Sequence, residues 1–188
     1  MKNVMLIHGF NGVPKIYTYF KEKLEEEGYN IIIPEFPTKT NITIDGFFKV
    51  FDKYKAYFNN ELIVIAHSIG NAMFIKYISK NNLNVGLYIS LAGFAKAFIT
   101  EGRDDLNTAI APITISMEEK EKFISLVKAR YSIYSDNDHI VPFEILQEFT
   151  KIIDSKDMLI EGIGHMGKKS GLESLPQVIE IINNIEDI

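Results

Sequence analysis

Three residues of this chain could together activate a serine hydroxyl, and they occur in the order Ser68, Asp138 and His165. An imidazole that accepts the hydroxyl proton turns serine into a nucleophile, and a carboxylate on the other ring nitrogen orients that imidazole. Such a group attacks the carbonyl carbon of an ester, thioester or amide and forms an acyl-enzyme, which water then hydrolyses. This chemistry requires three separate segments to meet at one place in the fold.

The segment around Ser68 has the pattern of a nucleophile elbow. An apolar stretch over 61–66 leads into the serine, and a stretch with amphipathic spacing over 69–81 follows it. Small residues at Ala66 and Gly70 would let a strand and a helix pass close together at the sharp turn that pushes the hydroxyl out of the sheet. The usual form of the motif is G-x-S-x-G, and alanine takes the place of the first glycine here.

The candidate base is His165, which lies in a glycine-rich segment over 161–167 after the last predicted strand. An imidazole that titrates near neutral pH can take the serine proton and return it to the leaving group. Asp136 and Asp138 both follow the fifth predicted strand, and one of them should orient His165. We expect Asp138 to do so, and we expect Asp136 to cap its own turn.

Two backbone N–H groups form the predicted oxyanion hole. One belongs to Ile69, the residue after the nucleophile, and the other belongs to Phe10, in the loop that closes the first strand. His8 and Gly9 precede Phe10, and the glycine allows the backbone to turn beneath an approaching carbonyl. Because His-Gly is a weak motif by itself, a plain turn at the end of the strand is the alternative.

The substrate pocket is expected where the predicted strands end, because all four histidines fall there or in the turns that follow. The residues predicted to line it are His8, Gly9, His67, Phe94 and His139. Apolar side chains could add a wall for the acyl group: Phe10, Ile69, Phe94 and Phe98. Aromatic residues near strand ends belong to the core as often as to a pocket.

Short β-branched runs alternate with amphipathic stretches along the chain, which predicts an α/β fold with a parallel sheet covered by helices on both faces. The predicted strands cover 3–7, 30–34, 61–66, 85–91, 130–135 and 157–161. The predicted helices cover 14–26, 44–58, 69–81, 117–128, 142–152 and 172–182. Right-handed crossovers would bring the carboxyl ends of all the strands to one edge, where open α/β sheets bind ligands.

One long connection interrupts the alternation, between the fourth predicted strand and the helix predicted to begin at Met117. Connections longer than about 12–15 residues in compact domains are usually binding loops or lids. We therefore expect a small cap or lid insertion at about 92–117. An ordinary surface loop with a short helix is the alternative.

Composition limits the classes of function. With 188 residues, of which 46% are hydrophobic, the chain is expected to form one domain over 1–188. Its net charge is −5 and its lysines are spread along the chain, so neither nucleic acid nor a membrane is an expected partner. It contains no cysteine, and its histidines lack the spacing of zinc proteases, so no metal is expected. No run is long enough for a signal peptide or a membrane helix, and a cytoplasmic location is expected.

The motifs at 8–10, 66–70, 135–138 and 164–165, with Val141-Pro142 after the acidic loop, resemble those of the α/β-hydrolase superfamily. The order serine, acid, histidine is also that of this superfamily, and it differs from the orders in chymotrypsin and subtilisin. The compact size and the Ser-Asp-Asn-Asp loop resemble the small serine-hydrolase group that includes YdeN-like and retinoblastoma-binding-protein-9-like proteins.

This resemblance implies a three-layer α/β-hydrolase fold, with a mostly parallel six-stranded sheet in the order 2-1-3-4-5-6 and a short cap. It also implies a serine hydrolase that needs no cofactor and acts on a small ester or acyl substrate. Because the cap would be short, small or medium acyl groups are expected to fit better than long lipids.

Two other classes of function compete with this interpretation. A dinucleotide-binding protein is suggested by Gly9 and Gly12 after the first strand and by Glu35 after the second, but the third glycine of that pattern is missing. A protein-interaction module on a hydrolase fold is the stronger alternative, because a fold alone does not determine function. The complete set of candidate catalytic residues argues against a purely structural role.

Overall fold

The computed structural model describes residues 2–185, and it forms a sheet between two layers of helices. The six strands are β1 (Asn3–Ile7), β2 (Asn30–Ile32), β3 (Ile63–His67), β4 (Val85–Leu91), β5 (Val127–Tyr134) and β6 (Lys156–Leu159). The α-helices are α1 (Ile16–Glu26), α2 (Ile44–Lys53), α3 (Ile69–Asn81), α4 (Asp104–Ile110), α5 (Met117–Leu126), α6 (Phe143–Ile152) and α7 (Pro176–Asn183). The predicted domain limits at 1 and 188 lie outside the described residues.

The strands are parallel and lie in the order β2-β1-β3-β4-β5-β6, which confirms the predicted architecture. Strands β3 and β4 are buried at every position, as expected for central strands with helices on both faces. The pairing sets Ile7 beside Ala66, and His67 beside Leu91. The loops after β1, β3 and β4 therefore leave the same edge of the sheet side by side.

The largest differences from the predicted boundaries are at α2, β5 and α7. Strand β5 begins at Val127, directly after α5, so no loop separates the two elements. Helix α7 begins at Pro176 rather than at 172, because proline lacks the N–H that a helix interior requires and is tolerated in the first turn. The predicted second helix divides into α2 and a 3₁₀ turn over Lys55–Tyr57.

Helix α3 is buried on nearly all sides, because the sheet covers one face and helices α2 and α5 pack against others. Two contacts attach it to α5. The Ser79 hydroxyl donates to the Glu119 carbonyl oxygen at 2.9 Å, and Lys76 Nζ lies 3.0 Å from the Glu119 carboxylate. The helix therefore forms a fixed base for Ser68, the residue directly before it.

The first turn of α3 passes close to the end of β1. A Cβ atom added to Gly70 would lie 2.7 Å from the carbonyl oxygen of His8 and 3.0 Å from Cγ2 of Ile7. These distances are shorter than normal van der Waals contacts, and one of the atoms belongs to the backbone, which cannot move aside easily. A residue without a side chain is therefore required at this position.

The connection over 92–116 folds back on itself. Lys96 pairs with Thr114 in an antiparallel bridge, and the Ala97 N–H donates to the Ile113 carbonyl oxygen at 2.9 Å. Helix α4 lies between these two arms, and the Thr100 hydroxyl donates to the Ile140 carbonyl oxygen at 3.0 Å. The connection is thus joined to the loop after β5, close to the candidate site. Within residues 2–185, no helix is both long and apolar enough to cross a membrane.

We predict that Gly70→Ala destabilises the protein by about 1–3 kcal/mol, the range for overpacking a tightly packed region. The expected loss of stability is opposite to the usual effect of replacing glycine by alanine inside a helix, which stabilises by up to about 1 kcal/mol. Urea unfolding of the variant and the wild type would measure it.

The control for this prediction is Gly167→Ala, where the nearest atoms to an added Cβ are 3.6 Å away, an ordinary contact distance. Its change in unfolding free energy should stay within about 0.5 kcal/mol. Equal stability of Gly70→Ala and wild type would contradict the close approach of α3 to β1.

Candidate active site

Ser68 stands on the sharp turn between β3 and α3. Its backbone has φ 55° and ψ −129°, a conformation that residues with side chains adopt only under strain. Hydrogen bonds hold this turn, since the Ser68 N–H donates to the Leu91 carbonyl oxygen at 2.9 Å and Asn71 Nδ2 donates to the Ser68 carbonyl oxygen at 2.9 Å. The Tyr88 hydroxyl in turn donates to Asn71 Oδ1 at 2.5 Å.

His165 connects Ser68 to Asp138 by hydrogen bonds. Its Nε2 atom lies 3.1 Å from Ser68 Oγ, and its Nδ1 atom lies 2.8 Å from Asp138 Oδ2. When Nδ1 keeps its proton and donates it in a hydrogen bond to the aspartate, Nε2 is free to accept the serine proton, which is the arrangement that activates a hydroxyl. The Asp138 side chain is almost fully buried, with an exposed fraction of 1%, so its charge acts on the imidazole with little screening by solvent.

Side chains of the loop after β5 hold the loop that carries His165. The N–H of Gly162 donates to Asp136 Oδ1 at 2.8 Å, and the N–H of Ile163 donates to Ser135 Oγ at 3.1 Å. The N–H of Gly164 donates to Asn137 Oδ1 at 2.7 Å. Together with the bond between Asp138 and His165, four consecutive residues over 135–138 bind four consecutive residues over 162–165.

The expectation that Asp136 caps its own turn was therefore wrong, because its carboxylate binds the other loop. Asp138 caps the turn instead, since its Oδ1 atom accepts from the N–H groups of Ile140 and Val141 at 2.8 and 3.0 Å. One carboxylate thus performs two tasks, with Oδ1 on the backbone and Oδ2 on the imidazole.

The pKa of Asp138 is lowered below its ordinary value, although two effects oppose each other. Burial by itself raises this pKa, whereas the hydrogen bond and the charge interaction with His165 and the N–H groups of Val141 and Ile140 lower it by more. The aspartate is consequently ionised at neutral pH, as required for it to stabilise an imidazolium.

His67 is a buried neutral histidine beside the candidate base. Burial lowers its pKa to about 3, and the neighbouring His165 adds to the shift. Its Nε2 atom lies 2.7 Å from the His165 carbonyl oxygen, so this nitrogen carries the ring proton and donates it. The two imidazole centroids are 4.9 Å apart. His67 therefore connects the elbow to the backbone of His165 and also forms part of the cleft wall.

A cleft that opens to solvent lies beside Ser68. It is lined by side chains and backbone from the first loop, the elbow, the connection over 92–116 and the two loops after β5 and β6: Phe10, Asn11, Gly12, His67, Ser68, Arg103, Leu106, Ile140, His165, Gly167 and Lys168. A smaller hollow adjoins it, and the exposed His139 lies there, with its ring centroid 6.5 Å from that of His165.

Of the residues predicted to line the pocket, His67 lines this cleft and His139 lines the adjoining hollow. The other three line neither space, and the prediction is corrected for them. His8 is buried because it joins two loops: its Nδ1 atom donates to the Gly9 carbonyl oxygen at 3.0 Å, and its Nε2 atom accepts from the Phe36 N–H at 3.1 Å. Phe94 is buried in the core, where its ring packs edge-on against Phe98 at 5.0 Å.

Gly9, the third of these residues, lies beneath Ser68 rather than in the cleft wall. An added Cβ there would be 2.9 Å from the Cβ of Ser68 and 3.0 Å from the His67 carbonyl oxygen. The first loop thus packs directly against the elbow. Among the hydrogen bonds of residues 2–185, neither the Phe10 N–H nor the Ile69 N–H has an acceptor, so both remain available to a ligand.

The sequence reasoning missed Asn11, Arg103, Leu106, Ile140 and Lys168 as cleft residues. Arg103 and Leu106 reach the cleft because the connection over 92–116 folds back, which depends on contacts distant in sequence. Among the sequence predictions, only the cap at about 92–117 could have indicated Arg103 and Leu106 as cleft residues. Among the described residues, no group of three or more His, Cys, Asp or Glu side chains is arranged to hold a metal ion.

Comparison with known families agrees with this geometry. Residues 4–184 match the model of a family described as serine hydrolase. This chain belongs to the serine hydrolase family. YdeN of Bacillus subtilis (strain 168), whose name describes it as a hydrolase, is 24% identical to this serine hydrolase over 187 residues, which cover 97% of this chain and 95% of YdeN.

Solved structures share the fold of this serine hydrolase. The crystal structure of the B. subtilis ydeN gene product has a TM-score of 0.84 and 23% identity, and 97% of each chain is covered. A structure from work on carboxylesterases of the archaeon Nitrososphaera gargenis has a TM-score of 0.71 and 15% identity, with 97% of this chain and 88% of that chain covered. A thioesterase domain from the curacin biosynthetic pathway has a TM-score of 0.70 and 12% identity, with 97% and 91% covered.

We predict that Asp138→Asn lowers kcat by a factor of about 10³–10⁴, because the amide would favour the wrong imidazole tautomer. Asp136→Asn is the matched control, since it changes the same group two residues away and leaves the acceptor oxygen for the Gly162 N–H. We expect it to lower kcat by less than about tenfold. Initial rates on one activated ester would measure both, and a larger loss in Asp136→Asn would contradict the assignment of Asp138.

The lowered pKa of Asp138 also predicts how stability depends on pH. Because the folded-state pKa lies below the ordinary value of 3.8, the ionised aspartate contributes stability that is present above about pH 4 and is lost as the pH falls through the folded-state pKa. The stability difference between wild type and Asp138→Asn should therefore shrink as the pH falls from about 5 to about 2. Urea unfolding across this range would test it, and a constant difference would contradict the lowered pKa.

Proposed function

We propose that this serine hydrolase cleaves small to medium carboxylic esters through an acyl-enzyme formed on Ser68. The observation that carries the proposal is the unbroken hydrogen-bond path from Ser68 Oγ to His165 Nε2, at 3.1 Å, and from His165 Nδ1 to Asp138 Oδ2, at 2.8 Å. In this proposal Ser68 is the nucleophile, His165 is the general base and acid, and Asp138 orients and stabilises the imidazolium.

The reaction would proceed in two halves. Ser68 Oγ attacks the ester carbonyl while His165 Nε2 takes its proton, and the resulting oxyanion accepts hydrogen bonds from the N–H groups of Phe10 and Ile69. The tetrahedral intermediate collapses, the alcohol leaves with the proton from Nε2, and an acyl-enzyme remains. Water then attacks the acyl-enzyme with His165 again as the base, which releases the acid and restores the Ser68 hydroxyl.

Several observations support small esters as the substrates. The apolar side chains that line the cleft beside Ser68 are few, Phe10, Leu106 and Ile140, which favours a short acyl or alcohol group. Two proteins of the same fold are a carboxylesterase and a thioesterase domain by their names, and both activities proceed through acyl transfer. Thioesters and amides are therefore the next substrate classes to compare.

The connection over 92–117 acts, in this proposal, as a small cap on a single catalytic domain. Arg103 and Leu106 from this connection face the same cleft as Ser68, and the guanidinium carbon of Arg103 lies 5.6 Å from the ring centroid of Phe10 in the first loop. The cap would thus close one side of the cleft and exclude bulky substrates.

A fluorophosphonate probe provides the direct test, because it reacts covalently with activated serines. We predict one adduct on the wild type by intact-mass analysis and none on Ser68→Ala. Ser125→Ala is the matched control, because this exposed serine lies on α5, outside the site, and its removal should leave the adduct unchanged. Absence of an adduct on folded wild type would overturn the proposal and favour an interaction module.

Kinetics would test whether the three side chains act as one unit. We predict that Ser68→Ala and His165→Ala each lower kcat by a factor of about 10⁴–10⁶, and that the double variant is little worse than either single variant. Initial rates with an activated ester would be measured beside circular dichroism, which reports folding. Multiplied losses in the double variant would contradict a shared catalytic unit.

A further inference from the structure

The cleft beside Ser68 is positively charged, although the whole chain carries a net charge of −5. Arg103 and Lys168 line the cleft, and Lys169 joins them in the adjoining hollow. No aspartate or glutamate occurs among the described residues that line either space. The chain as a whole is acidic and its lysines are spread along its length. A local excess of positive charge at the cleft therefore indicates a ligand that carries negative charge.

Arg103 is oriented so that part of its guanidinium remains available. Its Nε atom donates to Asp105 Oδ1 at 3.1 Å, and its Nη2 atom lies 3.5 Å from Asp105 Oδ2. Its Nη1 atom has no acceptor among the hydrogen bonds of residues 2–185. Asp105 and the Phe10 ring thus fix the side chain, while the Nη1 end can donate to a ligand.

Lys168 also lies beside the first loop. Its Nζ atom would be 3.8 Å from a Cβ added to Gly12, which places the ammonium directly beside that loop. Besides burial, the positive charge of Lys168 contributes to the lowered pKa of His8, which lies in the same loop. No carboxylate forms an ion pair with Lys168 or Lys169 within residues 2–185. Their charges are therefore not neutralised by this part of the protein.

We propose that the cleft selects small esters that carry a carboxylate near the scissile carbonyl, and that Arg103 and Lys168 bind this carboxylate. This inference rests on the proposed function, because the scissile carbonyl is the one attacked by Ser68. A carboxylate is flat and has two acceptor oxygens, so it can accept hydrogen bonds from a guanidinium and an ammonium at the same time. The same positive field would attract anionic substrates and raise their association rate.

Matched esters on the acyl side form the first test. Monomethyl succinate carries a carboxylate where methyl 4-methylpentanoate carries an isopropyl group of similar shape, and acid release from both can be followed by pH-stat titration. We expect kcat/KM of the wild type to be at least about tenfold higher for the succinate, since two cations face the added charge.

A second pair places the charge on the alcohol side. The acetyl esters of 4-hydroxybenzoate and 4-hydroxybenzamide differ in the carboxylate but not in the acyl group. Preference for the anionic member in one pair identifies the side on which the carboxylate lies, and either outcome supports the proposal. If kcat/KM is nearly equal for the anionic and the neutral ester in both pairs, the proposal is overturned.

Variants test whether the two cations cause the preference, and the ratio of kcat/KM within each variant removes any general loss of activity. Arg103→Gln and Lys168→Gln should each lower the anionic-to-neutral ratio by about threefold to fivefold. Lys168→Glu should lower it further, because it replaces attraction by repulsion. Lys128→Gln is the control, since this exposed lysine lies at the start of β5, on the opposite edge of the sheet.

Salt provides an independent test of the same charges. Raising the ionic strength to about 0.5 M should reduce the wild-type ratio towards one, because charge interactions then extend over only a few ångströms.

If Lys128→Gln lowers the ratio as much as Lys168→Gln does, net charge rather than the cleft is responsible, and the proposal fails. If wild type hydrolyses neutral esters and forms the fluorophosphonate adduct but shows no anionic preference, this inference fails while the proposed function stands. If wild type forms no adduct and hydrolyses no ester, the proposed function itself fails.

Discussion

The close approach of two backbones, at the end of β1 and the start of α3, is the constraint on which the site depends. Gly70 has no side chain, so the helix can begin almost in contact with the carbonyl oxygen of His8. Gly9 permits the first loop to lie directly against Ser68. Larger residues at these two positions would push the first loop and the start of α3 apart and so displace the loop from the serine.

The second constraint is the attachment of one loop to another at the carboxyl edge of the sheet. The loop after β6 has little regular structure, and its glycines would let it adopt many conformations. Side-chain acceptors over 135–138 bind the N–H groups over 162–164, which reduces this freedom before any substrate arrives. His67 adds a hydrogen bond to the His165 carbonyl oxygen. A site held in this way needs little rearrangement during the reaction, which favours catalysis.

Charge around the cleft divides into two kinds. Asp138 is buried and bound by three donors, the imidazole of His165 and the N–H groups of Ile140 and Val141. Arg103 and Lys168 are more exposed and have donors that face the cleft, so they suit a ligand rather than the fold. His8 and His67 are neutral through burial, and they connect loops without adding charge. The chain thus separates charges that orient the catalytic group from charges available to a substrate.

Local sequence patterns determined most of the elements and indicated the serine hydrolase family. Strand β4 and helix α3 begin and end at the predicted residues, because hydrophobic period and side-chain type act over a few neighbouring positions. Contacts between distant segments decided the rest, including the Asp136 bond to Gly162, the burial of Phe94 and the placement of Arg103 at the cleft. No local pattern contains this information, since a side chain's partners depend on which loops the folded sheet brings together.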